Sequence, residues 1–229
     1  MSDIRQKRLA KLLVNYSTQV KKGDWVGILG DVNSMPILRD IYEAVVDSGG
    51  HPTLIMNDAY MSRYFLRNAS EEQMEWIDPT MKLYIEQADV YIRVNSPSNT
   101  RAMTSISGKR MQQYRAAQSE ILTTRLERAA RNEFRWVGTL FPSEGSAQEA
   151  NMSLEEYEDF VYGACFCDHE DPTAEWLKLS EMQQHKVDYL AGKKSVVLKG
   201  PNIDLELSIE GRTFVNSDGK KNMPSGEIF

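Results

Sequence analysis

The sequence predicts an α/β fold: a doubly wound, mostly parallel sheet with covering helices, followed by the start of a truncated antiparallel β-rich second domain. Three observations carry this. Short apolar runs at Trp25–Leu29, Pro52–Met56, Asp89–Asn95 and Phe134–Leu140 are separated by helical stretches long enough to cross between parallel strands. Caps and glycine stops punctuate those stretches at their ends. Beyond Gly192 the pattern changes, with Ile203, Leu205, Leu207 and Ile209 alternating strictly against Asp204, Glu206, Ser208 and Glu210, the period of a half-buried strand.

The first helix places Leu9, Leu12, Leu13, Tyr16 and Val20 on one face; Lys21-Lys22 suit its negative end, and Gly23 stops it. After the strand at Trp25–Leu29, Asn33 or Ser34 caps a second helix with Pro36 in its first turn. Its buried face is expected to be Ile37, Leu38, Ile41, Tyr42 and Val45, and Gly49-Gly50 ends it before the strand at Pro52. Helices are then expected over Tyr60–Asn68, Ser70–Trp76 and Pro79–Gln87, with Ser70 and Gln73 forming a capping box. The third strand turns Val90, Ile92 and Val94 to one side. Helix returns from Ser107 to Asn132, and Pro142 closes the fourth strand. Ser153 and Glu156 make a second capping box, with Met152 stapling onto Tyr157. Asp171-Pro172 opens a helix to Leu190. After it come β runs at Ser195–Lys199, Ile203–Ile209 and Thr213–Val215. The domains are read as 1–190 and 191–229, the second too short to bury a core of its own and expected to be loosely held.

Composition bounds the function. The chain has 229 residues, is 41% hydrophobic and 26% charged, and carries a net charge of −6, which argues against a nucleic-acid binder. No apolar run approaches the ~18 residues of a membrane span, and the amphipathic start is unlike a signal peptide, so a cytoplasmic protein is expected. Cys165 and Cys167, beside Asp168 and His169, lack the further ligands a closed zinc site needs and read as core cysteines. His51, His169 and His185 are scattered. The first strand-to-helix turn offers only Gly30, followed by Asp31, so it lacks the glycines that let a backbone approach a pyrophosphate. Asp31, Asn33, Asn95 and Ser96 fall at the carboxyl edge of the expected sheet, where they serve as loop and cap residues or line a ligand site.

The last stretch, Gly211 to Phe229, holds two turn signals, Asp218-Gly219 and Pro224 with Gly226. Between Gly226 and Ile228-Phe229 stands Glu227, a carboxylate leaving a turn into a short apolar strand. Such an acid is either a solvated strand end or a rigidly held oxygen ligand.

Asn-Met-Pro-Ser-Gly-Glu-Ile-Phe, preceded by Gly-Arg and Asp-Gly, resembles a signature of the thermophilic-type metalloaminopeptidases, the aminopeptidase T and aminopeptidase S family. The likeness extends to the segment from Met152 to Tyr162, to Asp204-Leu205, and more loosely to the N-terminus. It implies a metal-dependent aminopeptidase that releases N-terminal amino acids from peptides, using a water activated by two divalent ions (zinc, cobalt or magnesium). By that resemblance Glu227 is one metal ligand. The remaining ligands and the general base are expected beyond Phe229, so that no catalytic residue lies within this chain and the chain alone is inactive. A homodimer formed through a later domain is implied, with no nucleic-acid or membrane partner. The residues by themselves also fit a non-catalytic α/β ligand-binding domain or a protein-interaction module.

Overall fold

The computed structural model describes residues 3–229. Helix α1 (Ile4–Leu12) is capped by Asp3, whose carboxylate accepts from the Arg5 amide, and runs on into a π turn at Leu13–Ser17. Then follow β1 (Trp25–Asp31), α2 (Met35–Asp47), β2 (His51–Asn57), α3 (Ala59–Asn68), α4 (Glu71–Glu75), α5 (Pro79–Gln87), β3 (Val90–Asn95), α6 (Gly108–Ala117), α7 (Ser119–Ala130) and β4 (Arg135–Leu140). The rest is α8 (Glu144–Glu149), α9 (Leu154–Ala164), α10 (Pro172–Leu190), β5 (Ser195–Gly200), β6 (Ile203–Ser208), β7 (Asn216–Ser217), β8 (Asn222–Met223) and β9 (Glu227–Ile228). Among the described residues the main sheet has five parallel strands in the order β2-β1-β3-β4-β8.

Strand alternation builds a core on each face of this sheet. Val26 and Ile28 of β1, with Val90, Ile92 and Val94 of β3, meet Leu9, Leu12, Leu13, Ile37, Ile41 and Val45 from α1 and α2. The opposite faces of the same strands, through Trp25, Leu29 and Tyr91, meet Tyr84 and Ile85 of α5 and Phe134. The sheet is thus covered on both sides, as the near-continuous apolar runs of β1 and β3 require.

Local chemistry matches the sequence at the caps. Ser70 with Gln73 and Ser153 with Glu156 both form reciprocal capping boxes. Ser34 stands at the start of α2, but its hydroxyl donates to the Asp31 carbonyl at 2.6 Å instead of capping the helix. Tyr42 is exposed, and Ala44 takes the buried place expected for it. The long helix expected from Ser107 is two helices broken at Gln118.

The segment after Gly192 behaves in two ways. β5 and β6 form an antiparallel hairpin whose ends close through an Ile209 amide to Lys194 carbonyl bond of 2.9 Å. Every residue of β6 is exposed, including Ile203, Leu205 and Leu207; of the alternating set expected to be half-buried, Ile209, just past the strand, is the one that is covered. Residues 216–229 pack back onto the main sheet and α10, contrary to the expected loose tail. β8 joins the main sheet beside β4, and Met223 is 1% exposed within the main core. Asp218 is pinned from three sides. Its carbonyl accepts from the Tyr16 hydroxyl at 2.8 Å, and its carboxylate accepts from Ser180 at 2.9 Å and from Lys220 at 2.6 Å. The expected strand at Thr213–Val215 begins only at Asn216, although Val215 exchanges backbone bonds with Phe229.

Candidate functional site

Glu227 lies on β9, which pairs antiparallel with β7 so that Ser217 faces Glu227 and Asn216 faces Ile228. Its backbone is held from beneath by α10. The Gln183 side chain, 3% exposed, donates Nε2 to Asn216 Oδ1 at 2.7 Å, to the Ser217 carbonyl at 3.1 Å and to the Glu227 carbonyl at 3.3 Å. Asn216 returns a bond to the Ser180 carbonyl at 2.9 Å. Gly226, at φ +114°, lets the chain turn sharply onto this platform. The Glu227 residue itself is exposed. A carboxylate on an anchored two-residue strand with its head in solvent has the form of a presented oxygen ligand. It is one donor. Among the described residues no group of three or more His, Cys, Asp and Glu is placed to hold a metal ion, so these residues alone do not make a metal centre.

The other candidate donors are ordinary structural residues. Cys165 and Cys167 are fully buried, with Cys167 Sγ directed at the Cys165 carbonyl, and the Trp176 indole donates to that same carbonyl at 3.1 Å. Hydrogen bonding with Cys167, and then burial, push the Cys165 thiol well above its ordinary pKa, which keeps it inert. His51 and His185 are exposed, and His169 stands 3.9 Å from Asp168 and 4.0 Å from Glu175.

Asp31, Asn33, Asn95 and Ser96 do come together. They line a crevice of about 460 Å³ at the carboxyl edge, between the ends of β1 and β3. Asp31 staples the edge: one oxygen accepts from Asn57 Nδ2 at 2.8 Å and the other from the Ser96 amide at 2.7 Å. Asn33 donates to the Ser96 carbonyl at 3.3 Å. Sequence reasoning missed Asn57, Asp58 and Arg93, which line the same crevice. Asn57 ends a strand in register with Asp31, a signal that strand pairing alone carries.

A model of the thermophilic metalloprotease (M29) family matches residues 2–229. The chain belongs to this family. Aminopeptidase T of Thermus thermophilus is 23% identical to it over 97% of this chain and 60% of its own length. The solved structure of wild-type AmpT from Thermus thermophilus superposes with a TM-score of 0.78 at 20% identity, over 98% of this chain and 60% of that one. At that identity the superposition shows the α/β fold. The chain spans about 60% of the length of this curated relative. No helix among the described residues is long and apolar enough to cross a membrane.

Proposed function

We propose that this chain is the front portion of a metal-dependent aminopeptidase acting on peptides with a free N-terminus. The observation that carries the reading is the family match over residues 2–229, with Glu227 presented on an anchored strand inside it. By the resemblance of the Gly-Glu stretch, Glu227 is read as one ligand of a centre of two divalent ions; the described residues place no ligand cluster around it. A divalent pair supplies an activated water at a peptide carbonyl. The part of the present chain is to hold one carboxylate at a fixed place. Gln183 and β7 fix the backbone, and exposure leaves the head free to bind.

The test is Glu227→Gln in a chain extended to the length of the relatives. The substitution keeps size and removes the charge that offsets dication desolvation. Metal stoichiometry falls and turnover drops by more than ~100-fold, beyond the roughly 10–100-fold expected of a residue that only orients a ligand. Full metal occupancy with near-unchanged turnover removes Glu227 from the site.

A further inference from the structure

The crevice at the carboxyl edge lies where the strand order reverses. The chain leaves β1 toward β2 on one side, and β3 is laid down on the other, so the loops after β1 and β3 diverge and open a cleft. Its volume, about 460 Å³, is that of a small-molecule site. Three observations describe what it suits. Arg93 and Asp58 both line it without pairing with each other: Arg93 Nε donates to Asn95 at 3.0 Å, and one Asp58 oxygen accepts from the Met61 amide at 2.8 Å, leaving a guanidinium edge and a carboxylate oxygen for other partners. Asp31 lines it too, but both its oxygens are already taken, by Asn57 and the Ser96 amide, so its charge is committed to the edge. Val32 and Met103 add an apolar wall. An isolated base and acid in one cleft select a dipolar ligand, with carboxylate toward Arg93 and ammonium toward Asp58. Asp31 and Asp58 together disfavour a phosphate.

We infer that this crevice is a binding site for a small zwitterion, an α-amino acid with an apolar side chain, separate from the Glu227 strand. That the zwitterion is a free amino acid, the product class of the proposed peptidase, rests on that reading; the charge pattern does not. The experiment is calorimetric titration of the metal-free 229-residue chain with L-leucine, N-acetyl-leucine and leucinamide. No turnover is involved, so loss of the peptidase reading leaves this result intact, and the reverse holds. Saturable binding of L-leucine is expected, weakened about 10-fold or more when either end is blocked. Asp58→Asn keeps the cap on α3 and removes the charge, so it weakens leucine but not N-acetyl-leucine. Arg93→Gln weakens leucine but not leucinamide. No saturable leucine binding, or binding indifferent to both end-blocking and both substitutions, overturns the inference.

Discussion

At the scale of single residues, Gly219 shows how tightly the returning tail is fitted. Its φ of +87° is left-handed, and a Cβ there would stand 2.7 Å from Met223 Cε and 3.1 Å from the Trp176 ring. The methionine end can move, but the indole is fixed by its bond to the Cys165 carbonyl. Gly219→Ala combines a left-handed penalty of about 1–2 kcal/mol with that crowding, for a total of roughly 2–3 kcal/mol. In a chain of this length that lowers Tm by about 4–10 °C. Gly108→Ala, with nothing within 4 Å and an ordinary φ, is the control and leaves Tm within about 1–2 °C. Equal melting of the two variants would show that the Asp218-Gly219 turn is not held as described. The sequence marked that turn because turn chemistry is local, and the resemblance of the Gly-Glu stretch singled out Glu227. It could not show that Gln183 lies under Glu227, since the two are far apart in sequence and a buried glutamine carries no pattern of its own. Arg93 and Asp58 were unreadable for the same reason: each sits on its own element, and only the strand register brings them to one crevice.

At the scale of elements, α10 carries more than its apolar stripe. Through Gln183 and Ser180 it supports β7, β9 and Asp218, so it is both a cover for the sheet and the bed for the strand bearing Glu227. Gln183→Leu keeps the volume and removes the amide, leaving the Ser217 and Glu227 carbonyls and Asn216 short of a donor inside the fold. The expected cost is about 1–3 kcal/mol, with a Tm loss of roughly 2–10 °C. Hydrogen exchange at β7 and β9 should quicken while β1 and β3 keep their protection; uniform protection throughout would separate α10 from the anchoring of Glu227. The elements most legible in the sequence were those whose signals are local and strong. β1 and β3 are apolar runs closed by polar residues, and the capping boxes of α4 and α9 sit where Ser-x-x-Gln and Ser-x-x-Glu place them. Less legible was the break at Gln118, since no Gly or Pro marks it. α8 was missed because a six-residue helix shows too little period. β8 was hidden because two residues joining a parallel sheet are specified by the strand they meet.

At the scale of the whole molecule, the segments after α10 differ in how they are held. The structure divides the residues after Leu190 unequally. The β5–β6 hairpin is exposed apart from a half-buried Val196, while within residues 216–229 β8 extends the main sheet and Met223 fills the core. A chain ended at Leu190 therefore loses a fully buried Met223, worth about 1.5–3 kcal/mol, and leaves the Tyr16 hydroxyl buried without its Asp218 acceptor, worth about 1–3 kcal/mol. Burial, reinforced by the Asp218 charge, raises the Tyr16 pKa, so the phenol stays a protonated donor and cannot escape the loss by ionising. The truncated chain should melt at least ~6 °C below the full one. Removing only the hairpin is a different operation. The Lys194 carbonyl and the Ile209 amide are already bonded at 2.9 Å, so a short Gly-Ser link closes the gap with little added loop entropy. That variant keeps Met223, Tyr16 and Gln183 in place and should melt within about 2 °C of the parent. If instead the chain ended at Leu190 melts with the full chain, residues 216–229 add no net stability to the sheet they join.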